Sequence, residues 1–266
     1  MPDALIALAN LFYPPLPGSP GVCASDLGAL VGPSVSGRSS LVFAHLCHWA
    51  AAPDDDDDAQ TPAAAGSAPS DDGSRCRGRK VLYLARRERV EQRCGPRFLD
   101  GRVPPEDVLA RIQVKYVHTA AELVAFLANM HRLPDDELPA AIGIDDFSQL
   151  LTLTCADQQR QATTMLIFAL LKDAVAHCRQ RIGRCTALLV YNIAETDAER
   201  PRKLALLRRW LPAVIRIWPT PGGRPGADFC LELDDKGSPM EPSGACVHYT
   251  LSRSAITVSK VRHARV

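Results

Sequence analysis

The segment Gly32–Ser40 reads GPSVSGRSS and lies between the apolar run LGALV and the helix-like SLVFAHLCHW. It fits the spacing G-x-x-x-x-G-[K/R]-[S/T]. Glycines at those positions let the backbone curl, so that amide groups and the start of the next helix surround a phosphate. The phosphate-contacting set is then Gly32, Ser36, Gly37, Arg38, Ser39 and Ser40. The Ser39 hydroxyl is placed to reach a Mg²⁺ ion on a bound ATP. A plain Gly/Ser turn is the competing reading. Arg38 stands where the pattern usually has lysine. A guanidinium is wide and planar, whereas lysine is a compact charge that lies within the curl, so Arg38 is expected to hold phosphate from outside and more weakly.

A second constellation is AAIGIDDFSQ, an apolar strand ending in Asp145 and Asp146. A carboxylate at that strand end can hold the water shell of Mg²⁺, and Asp145 is the favoured residue. Paired acids also form turns, so the metal role depends on the first motif. A third is ERPRKLALLRRW, in which Arg200, Arg202, Lys203, Arg208 and Arg209 can grip a nucleic-acid backbone. Leu204, Leu207 and Leu211 give the same stretch a buried helical stripe, which leaves a solvated basic helix equally open. Trp210 and Trp218 can stack bases but fit core packing better. His45, Cys47 and His48 do not share one helix face, and metal binding there is not expected.

Short β-like runs alternating with helical patterns predict an α/β fold, a mainly parallel sheet flanked by helices. The predicted strands are 28–31, 80–85, 112–117, 140–144 and 186–191. Thr119 followed by Glu122 forms a capping box, and Leu123, Phe126, Leu127 and Met130 then recur on one helix face. A second helix is expected to bury Ala162, Met165, Leu166, Ala169 and Leu170. After Pro212 the pieces 214–218, 229–233, 246–251 and 255–260, broken by turns such as PTPGGRPG, predict antiparallel C-terminal strands.

The domain is placed at 27–260, with an N-terminal extension 1–26 and a basic tail 261–266. Residues 51–79 form an acidic insertion with almost no branched apolar side chains, expected to be disordered. Its residues 53–74 carry Asp54 to Asp58, Asp71 and Asp72 with no Lys or Arg, so the net +1 of the chain becomes +8 outside that stretch. Such an excess favours a phosphate-bearing partner, or simply a solvated surface. Nine cysteines without a CxxC pair point to ordinary thiols in a reducing compartment, the cytosol or nucleus. No stretch approaches the roughly twenty apolar residues that span a bilayer. The apolar opening Leu5 to Phe12 lacks a basic flank, so neither a membrane nor secretion is expected.

Over roughly residues 27–260 the layout resembles the RecA-like recombinase-paralogue subunits of the vertebrate Shu complex. The likeness runs through the P-loop, VLYLARRERV, LARIQVKYVHTAAELVAFLANMH, IGIDDFSQLL, AVAHCRQRIGRCTALLVYN and VHYTLSRSAITVSKV, in that order. The resemblance implies a RecA-like P-loop ATPase core in the nucleus and DNA-stimulated ATPase activity. It also implies a SWIM-domain zinc-finger partner, and support of recombinases and their paralogues on single-stranded DNA in homologous-recombination repair of DNA damage and double-strand breaks. Two departures weaken the expected hydrolysis: Arg38 itself, and Arg86 and Arg87 where active recombinases carry a water-activating Glu after VLYLA. Asn192 falls where recombinases place a polar sensor, but Ile193 replaces the usual neighbouring Gln. The acidic insertion is absent from the family pattern and is expected to sit as a surface loop. Two readings of another class stay open: a RecA-shaped scaffold without useful nucleotide affinity, and a small-molecule kinase, which would need a lid and an acceptor pocket not visible in the sequence.

Overall fold

The computed structural model describes residues 26–52, 79–91, 96–193, 197–224, 227–233 and 246–262. The Leu5 to Phe12 segment, residues 53–78 of the insertion and the end of the tail lie outside these. Among the described residues, ten strands form one sheet in the order β3-β10-β9-β8-β7-β1-β6-β5-β2-β4. In chain order they are β1 (Leu27–Gly32), β2 (Val81–Ala85), β3 (Phe98–Leu99), β4 (Ile112–Tyr116), β5 (Ala141–Ile144), β6 (Thr186–Asn192), β7 (Ala213–Pro219), β8 (Asp228–Leu233), β9 (Cys246–Leu251) and β10 (Ala255–Arg262). The helices are α1 (Arg38–Ala51), α2 (Arg87–Glu91), α3 (Glu106–Ala110), α4 (Ala120–Ala128), α5 (Phe147–Thr154), α6 (Asp157–Ile182) and α7 (Arg200–Trp210).

The half of the sheet from β4 to β7 is parallel throughout. From β7 through β10 it is antiparallel, as expected, but β7 itself runs parallel to β1. The short edge strand β3, not foreseen in the sequence, pairs parallel with β10. The last strand extends through Val261 and Arg262, two residues past the expected domain end at 260.

Side-chain alternation along the strands separates two cores. Leu30, Val81, Tyr83, Ala141, Leu188 and Ile215 meet Leu41, Val42 and Leu46 of α1 on one face. Ala29, Leu82, Ile142, Ile144 and Leu189 meet α4 to α7 on the other. Gly143 faces α1, and a Cβ there would approach Val42 Cγ1 at 2.7 Å and Leu46 Cδ1 at 2.9 Å. The glycine thus sets how closely α1 lies on the sheet.

The capping box at α4 forms with a shift. Thr119 Oγ1 accepts the Glu122 amide at 3.1 Å, and Glu122 Oε2 accepts the amide of His118 at 2.9 Å. Leu123, Leu127 and Met130 are buried as expected, and Phe126 packs against them from the rim. Thr119→Ala is expected to cost about 1 kcal/mol, read as a lower urea midpoint with unchanged slope.

The inward face of α6 differs from expectation. Leu166 is 49% exposed, and Ala162 and Ala169 also face solvent. The buried stripe is Thr164, Ile167, Phe168, Leu171, Ala174, Val175 and Cys178, offset by two residues and so turned to nearly the opposite face of the helix. From Met165 to Leu171 the sequence is apolar on all sides, so a short window cannot fix the azimuth. The later turns, with Ala174, Val175 and Cys178, fix it.

Candidate functional site

Alternation puts Asp145 on the α1 side of the sheet, in phase with Ala141 and Gly143. It also carries Tyr83 of β2 and Asn192 at the end of β6 to that side. The loop after β1 arrives at the same edge because β1, β6, β5 and β2 all run parallel. All four strands end there, at the carboxyl side where ligands collect in open α/β sheets.

The loop is tightly built. Ser36 donates its amide and its hydroxyl to the Pro33 carbonyl, at 3.2 and 2.8 Å. The Tyr249 hydroxyl of β9 donates to the Ser36 carbonyl at 2.7 Å. Gly37 sits at φ +74°, where a side chain is strained. A Cβ on Gly32 would stand 2.9 Å from the Ile217 carbonyl oxygen, so β7 presses directly on the loop's start. The helix α1 begins at Arg38, and its first amides, those of Arg38, Ser39 and Ser40, have no intrahelical acceptor. Unpaired amides of this kind, at the positive end of a helix dipole, can hold an anion.

Ser39 and Asp145 meet. The Ser39 hydroxyl donates to Asp145 Oδ1 at 2.9 Å, and the buried Tyr83 hydroxyl donates to Oδ2 at 2.8 Å. Arg89 of α2 completes the group, with Nη2 donating to Ser39 Oγ at 3.2 Å and Nε 3.9 Å from Asp145 Oδ2. Asp145 is 3% exposed. Its neighbour Asp146, in a left-handed conformation at the start of α5, has its carboxyl raised by burial and then by the charge of Asp145.

Arg38 points away from this group. It is 4% exposed, and Nη1 donates to Asn192 Oδ1 at 3.3 Å. Its Nε is buried with no hydrogen-bond partner among the described residues. Burial lowers the guanidinium to about 10, against the opposing pull of Asp145 and then Asp146. The cations that line the cleft are Arg89 and Arg97 instead. That cleft, about 300 Å³, is also lined by Ser34, Gly37, Ser39 and Asp145. It stands at the small end of ligand clefts. Ser40 lies at the side, its hydroxyl accepting the Arg97 amide at 2.9 Å.

Ser39 and Asp145 have the chemistry of a Mg²⁺ site, a hydroxyl and a carboxylate beside phosphate-binding amides. Arg89 holds the carboxylate as a resident cation, and Mg²⁺ coordination there has to move it aside. No family model matches the chain. No curated protein matches it in sequence.

The basic residues of α7 do not form one grip. Lys203 is bound to Asp197 at 2.7 Å and to Glu199 at 3.5 Å, and Arg202 to Gln161 at 2.9 Å. Arg200 lies at the helix start, whereas Arg208 and Arg209 line a separate cleft of about 380 Å³ with Asp26, Lys172 and Arg179. That cleft opens at the amino ends of β1 and β7, across the sheet from Ser39. Eleven residues of helix separate the two ends by about 15 Å, which the linear spacing concealed. Trp210 packs against Phe168 with ring centroids 6.5 Å apart, a core role as expected. Trp218 is half-buried with the Arg216 guanidinium over its ring at 5.1 Å. His45 is buried in α1, apart from any metal-ligating group among the described residues.

Sequence reasoning missed Tyr83, Arg89 and Arg97. Tyr83 was readable, because it shares the inward phase of Val81 and Ala85. Arg89 and Arg97 carried no signal, since nothing local distinguishes them from the other arginines of 86–97.

Proposed function

We propose that this chain is a RecA-like P-loop body that holds nucleotide phosphates at the α1 start and turns ATP over slowly at most. In this reading it serves as an accessory subunit of a homologous-recombination DNA repair complex in the nucleus. Its partners are a SWIM-domain zinc-finger protein, recombinases and their paralogues, and single-stranded DNA. The nucleotide half rests on one observation above others, the 2.9 Å contact between Ser39 and Asp145 at the mouth of a cleft walled by free helix-start amides. The repair half rests on the sequence resemblance. The strand order, with β1 inside a parallel sheet and the acid-bearing strand one place removed, agrees with a RecA-like core.

Slow turnover follows from what stands near the cleft. Arg86 at the end of β2 is paired with Glu88 at 3.3 Å, and Arg87 with Glu91 at 3.2 Å, so these positions supply cations where a water-activating carboxylate is wanted. Arg38 adds no charge inside the curl. A second reading, a scaffold without nucleotide, is favoured by the complete set of protein partners that Asp145 already holds.

Thermal unfolding with Mg-ATP separates them. At about one hundred times its Kd a ligand stabilises the folded state by about 2.7 kcal/mol, a rise of roughly 5–10 °C for a chain of this size. Asp145→Asn and Ser39→Ala should each remove the Mg²⁺-dependent part of that rise. An unchanged melting curve in the unsubstituted protein selects the scaffold. Retention of labelled single-stranded DNA by the chain with its partner, falling as salt rises, tests the DNA half independently.

A further inference from the structure

The face of β7 to β10 turned away from α1 carries Arg216, Trp218, Cys230, Glu232, Cys246, His248 and Thr250. At its centre, the antiparallel register sets Cys230 of β8 opposite His248 of β9, and Cys246 lies two residues before His248 on the same face. The imidazole Nε2 is 3.7 Å from Cys246 Sγ and 3.9 Å from Cys230 Sγ, and the three donor atoms lie within 4.8 Å of one another. A tetrahedral zinc ion, with Zn–S about 2.3 Å and Zn–N about 2.0 Å, has S···N edges of roughly 3.5 Å and S···S edges of roughly 3.8 Å. The observed spacings are therefore those of a zinc triad needing shifts of only a few tenths of an ångström at the imidazole.

The surroundings support that chemistry. His248 Nδ1 lies 3.5 Å from Thr220 Oγ1, and with its proton directed to that hydroxyl the Nε2 lone pair faces both sulfurs. Both cysteines are buried, at 4% and 6% exposure, and free of disulfides, which protects a thiolate–metal bond from competing water. His248 is half-buried, so the cluster opens toward solvent on its side.

We propose that Cys230, Cys246 and His248 bind a zinc ion that ties β8 to β9, with the fourth corner left to a small donor such as water. The site is independent of the phosphate cleft, since the two lie on opposite faces of the sheet. Nucleotide binding and metal binding stand or fall separately. Sequence alone gives no hint of it, because the two cysteines are sixteen positions apart and only strand register unites them.

The test uses the full chain, purified under reducing conditions and freed of metal with a chelator. Adding Co²⁺ should give a thiolate-to-cobalt charge-transfer band in the near ultraviolet and tetrahedral bands in the red, saturating at one equivalent and lost when Zn²⁺ is added. Cys230→Ser and His248→Ala should each weaken binding by more than the roughly 10–100-fold that loss of an outer-shell partner costs, while Cys155→Ser leaves it unchanged. Should those variants fail to fold, alkylation of the unsubstituted protein gives the answer, since Zn²⁺ should slow labelling of Cys230 and Cys246 and spare Cys155. The proposal is overturned by absence of the charge-transfer band, by a band that persists in a Cys230→Ser/Cys246→Ser protein, by labelling insensitive to Zn²⁺, or by a Cys230 to Cys246 disulfide in peptide maps of the native protein.

Discussion

Asp145→Ala is expected to destabilise the fold by about 3–5 kcal/mol, the range for removing one member of a buried charged group. Three consequences add up. The Tyr83 hydroxyl, buried with its ring, loses its acceptor, at a cost of about 1–3 kcal/mol by itself. Arg38, whose guanidinium already suffers from burial, loses the largest of the charges that oppose that burial. Arg89 loses its anchor to the sheet, a smaller matter because its side chain is partly solvated. Asp145→Asn keeps the shape and one acceptor oxygen, and should cost about half as much. Urea midpoints at constant slope measure both. A loss below about 1 kcal/mol in the alanine variant would mean that the carboxylate does not organise this edge of the sheet.

Acidification to pH 5 is expected to remove about 2 kcal/mol of stability through His45 alone. Burial, and then the neighbouring His48, bring its imidazole from 6.5 down to about 3. The unfolded chain therefore takes up a proton below pH 6.5 that the folded chain refuses until about pH 3. The contribution is fully present above pH 6.5 and is lost as pH falls through that window, at about 1.4 kcal/mol per pH unit. His48 is lowered in the same direction by burial and adds to the slope. Acid-side carboxylate pairs such as Asp228 with Arg224 act lower, because their hydrogen bonds hold that carboxyl down at about 2. Unfolding curves at pH 7 and pH 5 give the slope, and His45→Phe should flatten it by about 2 kcal/mol between those values. An equal slope in the variant would contradict a buried neutral His45.

The two expectations differ in how far the sequence could supply them. The Ser39–Asp145 pairing was legible because each residue ends or follows an apolar strand, and the strand phase fixes the face on which a side chain emerges. The helix α4 was legible for the same local reason, down to the Thr119 cap. Arg38 was read as reaching phosphate from outside, yet it turns back to Asn192 beneath the loop. A long side chain at a helix start has several directions open to it, and the choice is made by β6, more than 150 residues away. The azimuth of α6 failed similarly, since an all-apolar stretch gives no periodic contrast.

By itself the sequence determined the alternation of strands and helices, the glycine curl at 32–37, and the acid at the end of β5, because each is encoded within a few neighbouring residues. Tertiary structure decided which cation enters the cleft, how the basic residues of α7 divide between two ends of the sheet, and that Cys230, Cys246 and His248 converge. Those outcomes depend on register and packing between segments distant in the chain, where side-chain identity constrains the partner but does not name it.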